Sequence, residues 1–175
     1  MGYFLGIDGG GTRTVAWLAE GEGKLLARAE SGPSNPLKVG FRFAQREILE
    51  AFRAAWQEAG LPRSAARASR PPWLRAVCAG IAGVDRSAVH RPLLAWMRRH
   101  IPARHYLLTS DAAIALAAAV RDGPGIIVIA GTGSIAFARR LHNQGKERSD
   151  LLRVELPGNH LGNIGEVQRS ADAIR

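Results

Sequence analysis

The chain has 175 residues, of which 46% are hydrophobic and 22% charged, the balance of a folded globular protein rather than a disordered one. No apolar run approaches the ~20 residues of a membrane helix, and no basic leader precedes the first apolar run, so a cytoplasmic protein without a membrane partner is expected. Cys78 is the only cysteine, which excludes an internal disulfide framework and an all-cysteine metal or iron–sulfur centre within one chain. The formal charge of +9 invites a nucleic-acid reading. Against it, the arginines are scattered and no stacking-aromatic or zinc-finger motif accompanies them, so no nucleic-acid partner is expected.

Residues 3–8 form a short apolar run ending in glycines, and residues 13–20 and 25–30 are strand-like with a turn at Gly21, Glu22 and Gly23 between them. The opening reads as three consecutive antiparallel strands. A turn-rich loop, residues 31–36, leads into an amphipathic helix marked by Phe41, Ala44, Ile48, Phe52, Ala55, Trp56 and Ala59 and stopped by Gly60 and Pro62. Residues 73–82 suit a buried strand, and Val89, Leu93, Trp96 and Met97 mark a second helix with Pro92 expected in or near its first turn. Residues 105–109 are another strand, and Asp111 opens an alanine-rich helix through Val120.

The order β-β-β-α-β-α-β-α over residues 1–122 predicts an α/β fold, a mixed sheet with helices on both faces. Residues 126–130 then form an apolar strand that enters a Gly-Thr-Gly-Ser turn, with residues 135–139 as its hairpin partner. Residues 123–140 therefore read as a hairpin that follows the α/β region. Residues 141–175 show few aliphatics and no clear period, and are expected to be a divergent, poorly ordered tail with at best a short helix from about Glu166.

Asp8-Gly9-Gly10-Gly11-Thr12 sits between two predicted strands. Glycines let backbone N–H groups approach an anion, Thr12 adds a hydroxyl, and Asp8 could hold a hydrated magnesium ion. The alternative is a glycine-rich hairpin. Gly131-Thr132-Gly133-Ser134 is a second phosphate-cradle candidate, which with Ala136 also fits the dinucleotide pattern if a helix follows. Asp111 is either an N-cap carboxylate or a general base facing a substrate hydroxyl. Asn35 and Asp85 are polar loop residues that suit a polyol or an ordinary turn. Cys78 fits a small core position, and the five histidines show no metal-ligand spacing.

Taken together, residues 6–12, 32–35 (Gly-Pro-Ser-Asn), 79–83 (Ala-Gly-Ile-Ala-Gly), 109–113 (Thr-Ser-Asp-Ala-Ala) and 129–134 resemble the N-terminal half of the BadF/BadG/BcrA/BcrD ATPase family, and within it the N-acetylglucosamine kinases. The family belongs to the superfamily of sugar kinases, actin and heat-shock chaperones, whose two ribonuclease-H-like domains bind ATP between them; the resemblance makes residues 1–122 the first such domain and residues 123–140 the first hairpin of a truncated second. The resemblance implies ATP and Mg2+ as cofactors and an amino sugar as substrate. It makes Gly9, Gly10, Gly11 and Thr12 the first phosphate motif and Gly131, Thr132, Gly133 and Ser134 the second, with Asp8 near magnesium. Asp111 would take the proton from the sugar hydroxyl, and Asn35, Ala82 and Gly83 would line the sugar site. Homodimers are common in the family.

Two family segments, Gly-Trp-Gly and Asp-Glu-Gly, have no counterpart after residue 134, and the paired cysteines of the family's redox branch are absent. The pattern-poor residues after Leu141 read as a frameshifted or truncated product. Two functions follow: an ATP-dependent sugar kinase that is inactive as this chain alone, or a non-catalytic remnant or ATPase of the BadF type acting with a partner.

Overall fold

The computed structural model describes residues 2–62, 74–120, 124–130, 134–140 and 150–156. Strands β1 (Tyr3–Gly9), β2 (Thr14–Glu20) and β3 (Leu25–Ser31) form the antiparallel opening. A single helical turn, α1 (Pro36–Val39), precedes the long helix α2 (Phe41–Glu58). Then follow β4 (Leu74–Ile81), α3 (Ser87–His100), β5 (Ala103–Thr109) and α4 (Asp111–Val120). The sheet order is β3-β2-β1-β4-β5, with β4 and β5 parallel to β1. The order of elements expected over this region is the one observed.

Alternation sets the faces of the sheet. Leu5 and Ile7 of β1 are buried, and so are Ala16 and Leu18 of β2 and Val77, Ala79 and Ile81 of β4. They join one core with Ile48, Ala51, Phe52, Ala55 and Trp56 of α2 and Val89, Leu93 and Met97 of α3. Trp56 is also fixed at its polar end, its indole N–H donating to the Pro62 carbonyl at 3.0 Å. The strand period of two turns Asp8 away from Leu5 and Ile7, which keeps its carboxylate out of this core. Cys78 alternates with buried Val77 and Ala79, and so is only half-buried rather than a core residue; burial still pushes its thiol pKa up.

Pro92 is the sixth residue of α3, not in its first turn. Its ring removes the N–H that would reach the Ala88 carbonyl, and the helix continues through it because Val89, Leu93 and Met97 bury the opposite face. His90 binds the neighbouring strand, donating from Nε2 to the Leu108 carbonyl at 3.0 Å.

Two compact units divide the chain, Met1–Asp111 and Ala112–Arg175, so the boundary falls just after Asp111 and the rest of α4 groups with the second unit. In the second unit β6 (Gly125–Ala130), β7 (Ser134–Arg140) and β8 (Asp150–Leu156) form an antiparallel sheet in that order. Phe137 pairs with Ile127 and Arg153 in register, and its side chain packs with Ala112 and Leu116 of α4.

The segment after residue 133 is a strand, so no helix follows the second glycine turn and the dinucleotide-binding alternative is removed. Strand β8 is an element for which the sequence reading made no allowance. Its Leu152, Val154 and Leu156 alternate with Arg153 and Glu155, a short period of two set among polar flanks. The helix expected from about Glu166 lies outside the described residues.

Candidate functional site

Strands β1, β4 and β5 run parallel, and Asp8, Gly80 and Thr109 lie level with one another across them. Their carboxyl ends therefore deliver three segments to one edge of the sheet: Gly9-Gly10-Gly11, Ala82-Gly83 and Ser110-Asp111. Open α/β sheets place ligands at this edge, because the chain there leaves the ladder and frees its backbone groups.

Backbone hydrogen bonds join the segments further. The Gly10 carbonyl accepts from both Ser34 N–H, at 3.0 Å, and Asn35 N–H, at 3.1 Å. The Gly9 carbonyl accepts from Ala82 N–H at 2.8 Å. A Cβ on Gly9 would collide with Ser34 Oγ and Ile81 Cδ1, so only glycine permits this approach. The first glycine loop is thus tied to both proposed sugar turns.

Below it, Thr14 Oγ1 lies 2.7 Å from the Gly32 carbonyl and 2.7 Å from Ser34 Oγ. A carbonyl only accepts, so Thr14 donates to Gly32 and Ser34 donates to Thr14. All of these groups are paired without any ligand. Gly11 and Thr12 at the tip remain exposed, which suits a loop that meets a solute.

Asn35 caps α1: its Oδ1 accepts from Leu37 N–H at 3.0 Å. That fixes the side chain and leaves its amide N–H groups to donate to a polyol. Gly83 has φ of +80°, and a Cβ there would stand 2.8 Å from Asn35 Oδ1. The proposed sugar residues Asn35 and Gly83 therefore touch. Asp85 lies two residues further on and is exposed.

Glu47 is a functional candidate that the sequence reading missed. Only 8% exposed on α2, it accepts from Gly32 N–H through Oε2 at 2.8 Å, while its own backbone carbonyl accepts from Ser31 Oγ at 2.7 Å. Arg46 pairs with the other carboxylate oxygen at 2.8 Å. Glu47 holds the start of the Gly-Pro-Ser-Asn loop. The signal was present: at helical spacing it falls inside the apolar stripe of Ala44, Ile48 and Ala51, where an acid is out of place unless it has a partner.

Asp111 is the first residue of α4, one position past the cap, and buried Ser110 precedes it. The Asp8 carboxyl is held above its ordinary value, first by burial and then by the negative charge of Asp111, with Arg13 opposing. Among the described residues no three metal-ligating side chains cluster. Gly131, Thr132 and Gly133 lie outside the described residues, and Ser134 is the first residue of β7. Among the described residues no helix is long and apolar enough to cross a membrane.

Residues 5–149 match the BadF/BadG/BcrA/BcrD ATPase family. An N-acetylmuramic acid/N-acetylglucosamine kinase of Clostridium acetobutylicum is 32% identical over 139 residues, covering 79% of this chain and 43% of that protein. An N-acetyl-D-glucosamine kinase of Dictyostelium discoideum is 29% identical over 136 residues, covering 77% and 42%. A solved structure from Chromobacterium violaceum, provisionally designated an N-acetylglucosamine kinase, superposes with a TM-score of 0.66 at 31% identity over 87% of this chain and 48% of its own. It shares the mixed five-stranded sheet with helices on both faces. The chain spans under half the length of the curated relatives it matches. With matched residues covering most of its length, the chain belongs to the BadF/BadG/BcrA/BcrD ATPase family.

Proposed function

We propose that this chain is the sugar-recognising, first-phosphate portion of an ATP-dependent kinase that phosphorylates an amino sugar such as N-acetylglucosamine. One observation carries the reading: the glycine loop, the Asn35–Gly83 contact and Asp111 all stand at the carboxyl ends of β1, β4 and β5. The kinase names of the relatives support the reaction type and the substrate class.

Asn35 and the Ala82-Gly83 turn orient the sugar, and exposed Gly11 and Thr12 offer N–H and hydroxyl donors to phosphate. Gly131, Thr132, Gly133 and Ser134 supply the second phosphate contact. Asp111 receives the proton of the sugar hydroxyl as its oxygen bonds to phosphorus and the bond to the departing ADP oxygen breaks. Phosphoryl transfer depends mostly on positioning, so a well-placed carboxylate at the start of a helix suffices. Bound Mg2+, held by Asp8, would neutralise charge on the phosphate oxygens. The remaining length found in the relatives completes the nucleotide site, so the 175-residue chain alone is expected to show negligible turnover.

The test is Asp111→Asn in a protein restored to the relatives' full length. Asparagine keeps the shape and the helix-start preference but cannot accept the proton. Turnover should fall ~10²–10⁴-fold while the melting temperature holds. Unchanged turnover removes Asp111 from the chemistry, and phosphorylation of N-acetylglucosamine by the 175-residue chain would refute the need for the remaining length.

A further inference from the structure

Lys38 is one of three lysines in the chain and has no role in the reading above. It belongs to α1, the single turn that Asn35 caps, and its own N–H donates to the Asn35 carbonyl at 3.0 Å. Its side chain lies against the glycine loop: a Cβ on Gly11 would stand 3.0 Å from the Lys38 ammonium nitrogen and 3.1 Å from its Cδ. Among the described residues no carboxylate pairs with Lys38, whereas Lys24, Arg28, Arg46 and Arg53 each pair with a glutamate. An exposed cation without a counter-ion thus leans over the exposed tip of the glycine loop, Gly11 and Thr12, one helical turn from the residue proposed to hold the sugar.

We propose that Lys38 is a phosphate-binding residue, its ammonium contacting the terminal phosphoryl group on Gly11 and Thr12. The inference rests on reading residues 9–12 as a phosphate loop. It adds a point charge beside the backbone donors, at the position where the phosphoryl group lies within reach of both glycine loop and sugar turn. A side chain at residue 11 would press on the Lys38 ammonium and shift it by a few tenths of an ångström.

The experiment titrates the 175-residue chain with inorganic tripolyphosphate and, separately, with N-acetylglucosamine, by calorimetry at fixed ionic strength. Lys38→Met should weaken tripolyphosphate binding about tenfold or more, the scale of one charge-assisted hydrogen bond, and leave N-acetylglucosamine binding unchanged. Lys38→Arg should restore most of the loss, and Lys24→Met, at a lysine paired with Glu20, should cause none. Equal tripolyphosphate affinity in Lys38→Met overturns the proposal. So does an equal loss in Lys24→Met, which would report net charge alone, or no tripolyphosphate binding by the unaltered chain. Failure of N-acetylglucosamine to bind, with the tripolyphosphate pattern intact, refutes the sugar reading and leaves Lys38 as an anion-binding residue.

Discussion

The two sheets of this chain are built from similar strands but enclose different amounts of core. The five-stranded sheet buries Leu5, Ile7, Leu18, Val77 and Ile81 under two helices, with Phe52 and Trp56 packed edge to face. Among the described residues of the second unit, the buried cluster consists of Ala112, Leu116 and Phe137, and strand β6 leaves Ile126 and Val128 52% and 54% exposed. Half the side chains of a strand must find a partner layer. The first sheet finds one within its own sequence. The second has the alternation without a comparable layer among the described residues, and its exposed aliphatics are positions for association.

The contrast can be broken at its strongest point. Phe52→Ala should cost ~3–5 kcal/mol in urea denaturation, because a 1%-exposed ring packed against the sheet leaves a cavity that cannot collapse. Leu116→Ala in the smaller cluster should cost less, toward ~2 kcal/mol, and equal losses would dissolve the distinction between the two cores.

Next in size is Glu47→Ala, which orphans the Gly32 N–H and should cost ~1–3 kcal/mol. In the 175-residue chain it should also weaken N-acetylglucosamine binding, since the Gly-Pro-Ser-Asn loop hangs from that carboxylate. A stability loss with sugar affinity intact would make Glu47 structural only.

A smaller effect of opposite sign is expected at Asp8. Its pKa is raised in the fold, so the folded chain holds the proton more tightly than the unfolded one. Stability therefore increases as pH falls from neutrality through the raised pKa, and the gain is complete below the ordinary carboxylate value. Asp8→Asn should raise the melting temperature at neutral pH and lose that advantage in acid, while weakening Mg2+ binding. A melting temperature lowered at neutral pH would contradict the placement of Asp8 beside Asp111.

Smallest of all, Ile126→Thr on the exposed side of β6 should change stability by no more than ~0.5 kcal/mol but reduce self-association in sedimentation.

The apolar runs of β1 to β5 and the apolar periods of α2 and α3 were legible in the sequence because these elements share one core, and α4 was legible from its alanine content. The loop motifs were legible as types, and their convergence followed only from the parallel pairing of β1, β4 and β5, a non-local property. Glu47 stood out as an acid in an apolar stripe, but its role was hidden because its partner Gly32 lies fifteen positions away outside the helix. Strand β8 was missed for a different reason: three alternating aliphatics are too short a signal inside a polar stretch.

The double acceptance at the Gly10 carbonyl carries a thermodynamic consequence. The backbone of the glycine loop and that of the Asn35 turn are already one piece before any solute arrives, so a ligand on either segment orders little that the other would otherwise have to order. Cooperativity arising from shared loss of chain entropy is thereby removed. Any synergy between a phosphate on Gly11 and a sugar on Asn35 must come from direct contact between the two ligands. Calorimetry of the two together should then show additive entropies for a sugar and a phosphate too small to meet.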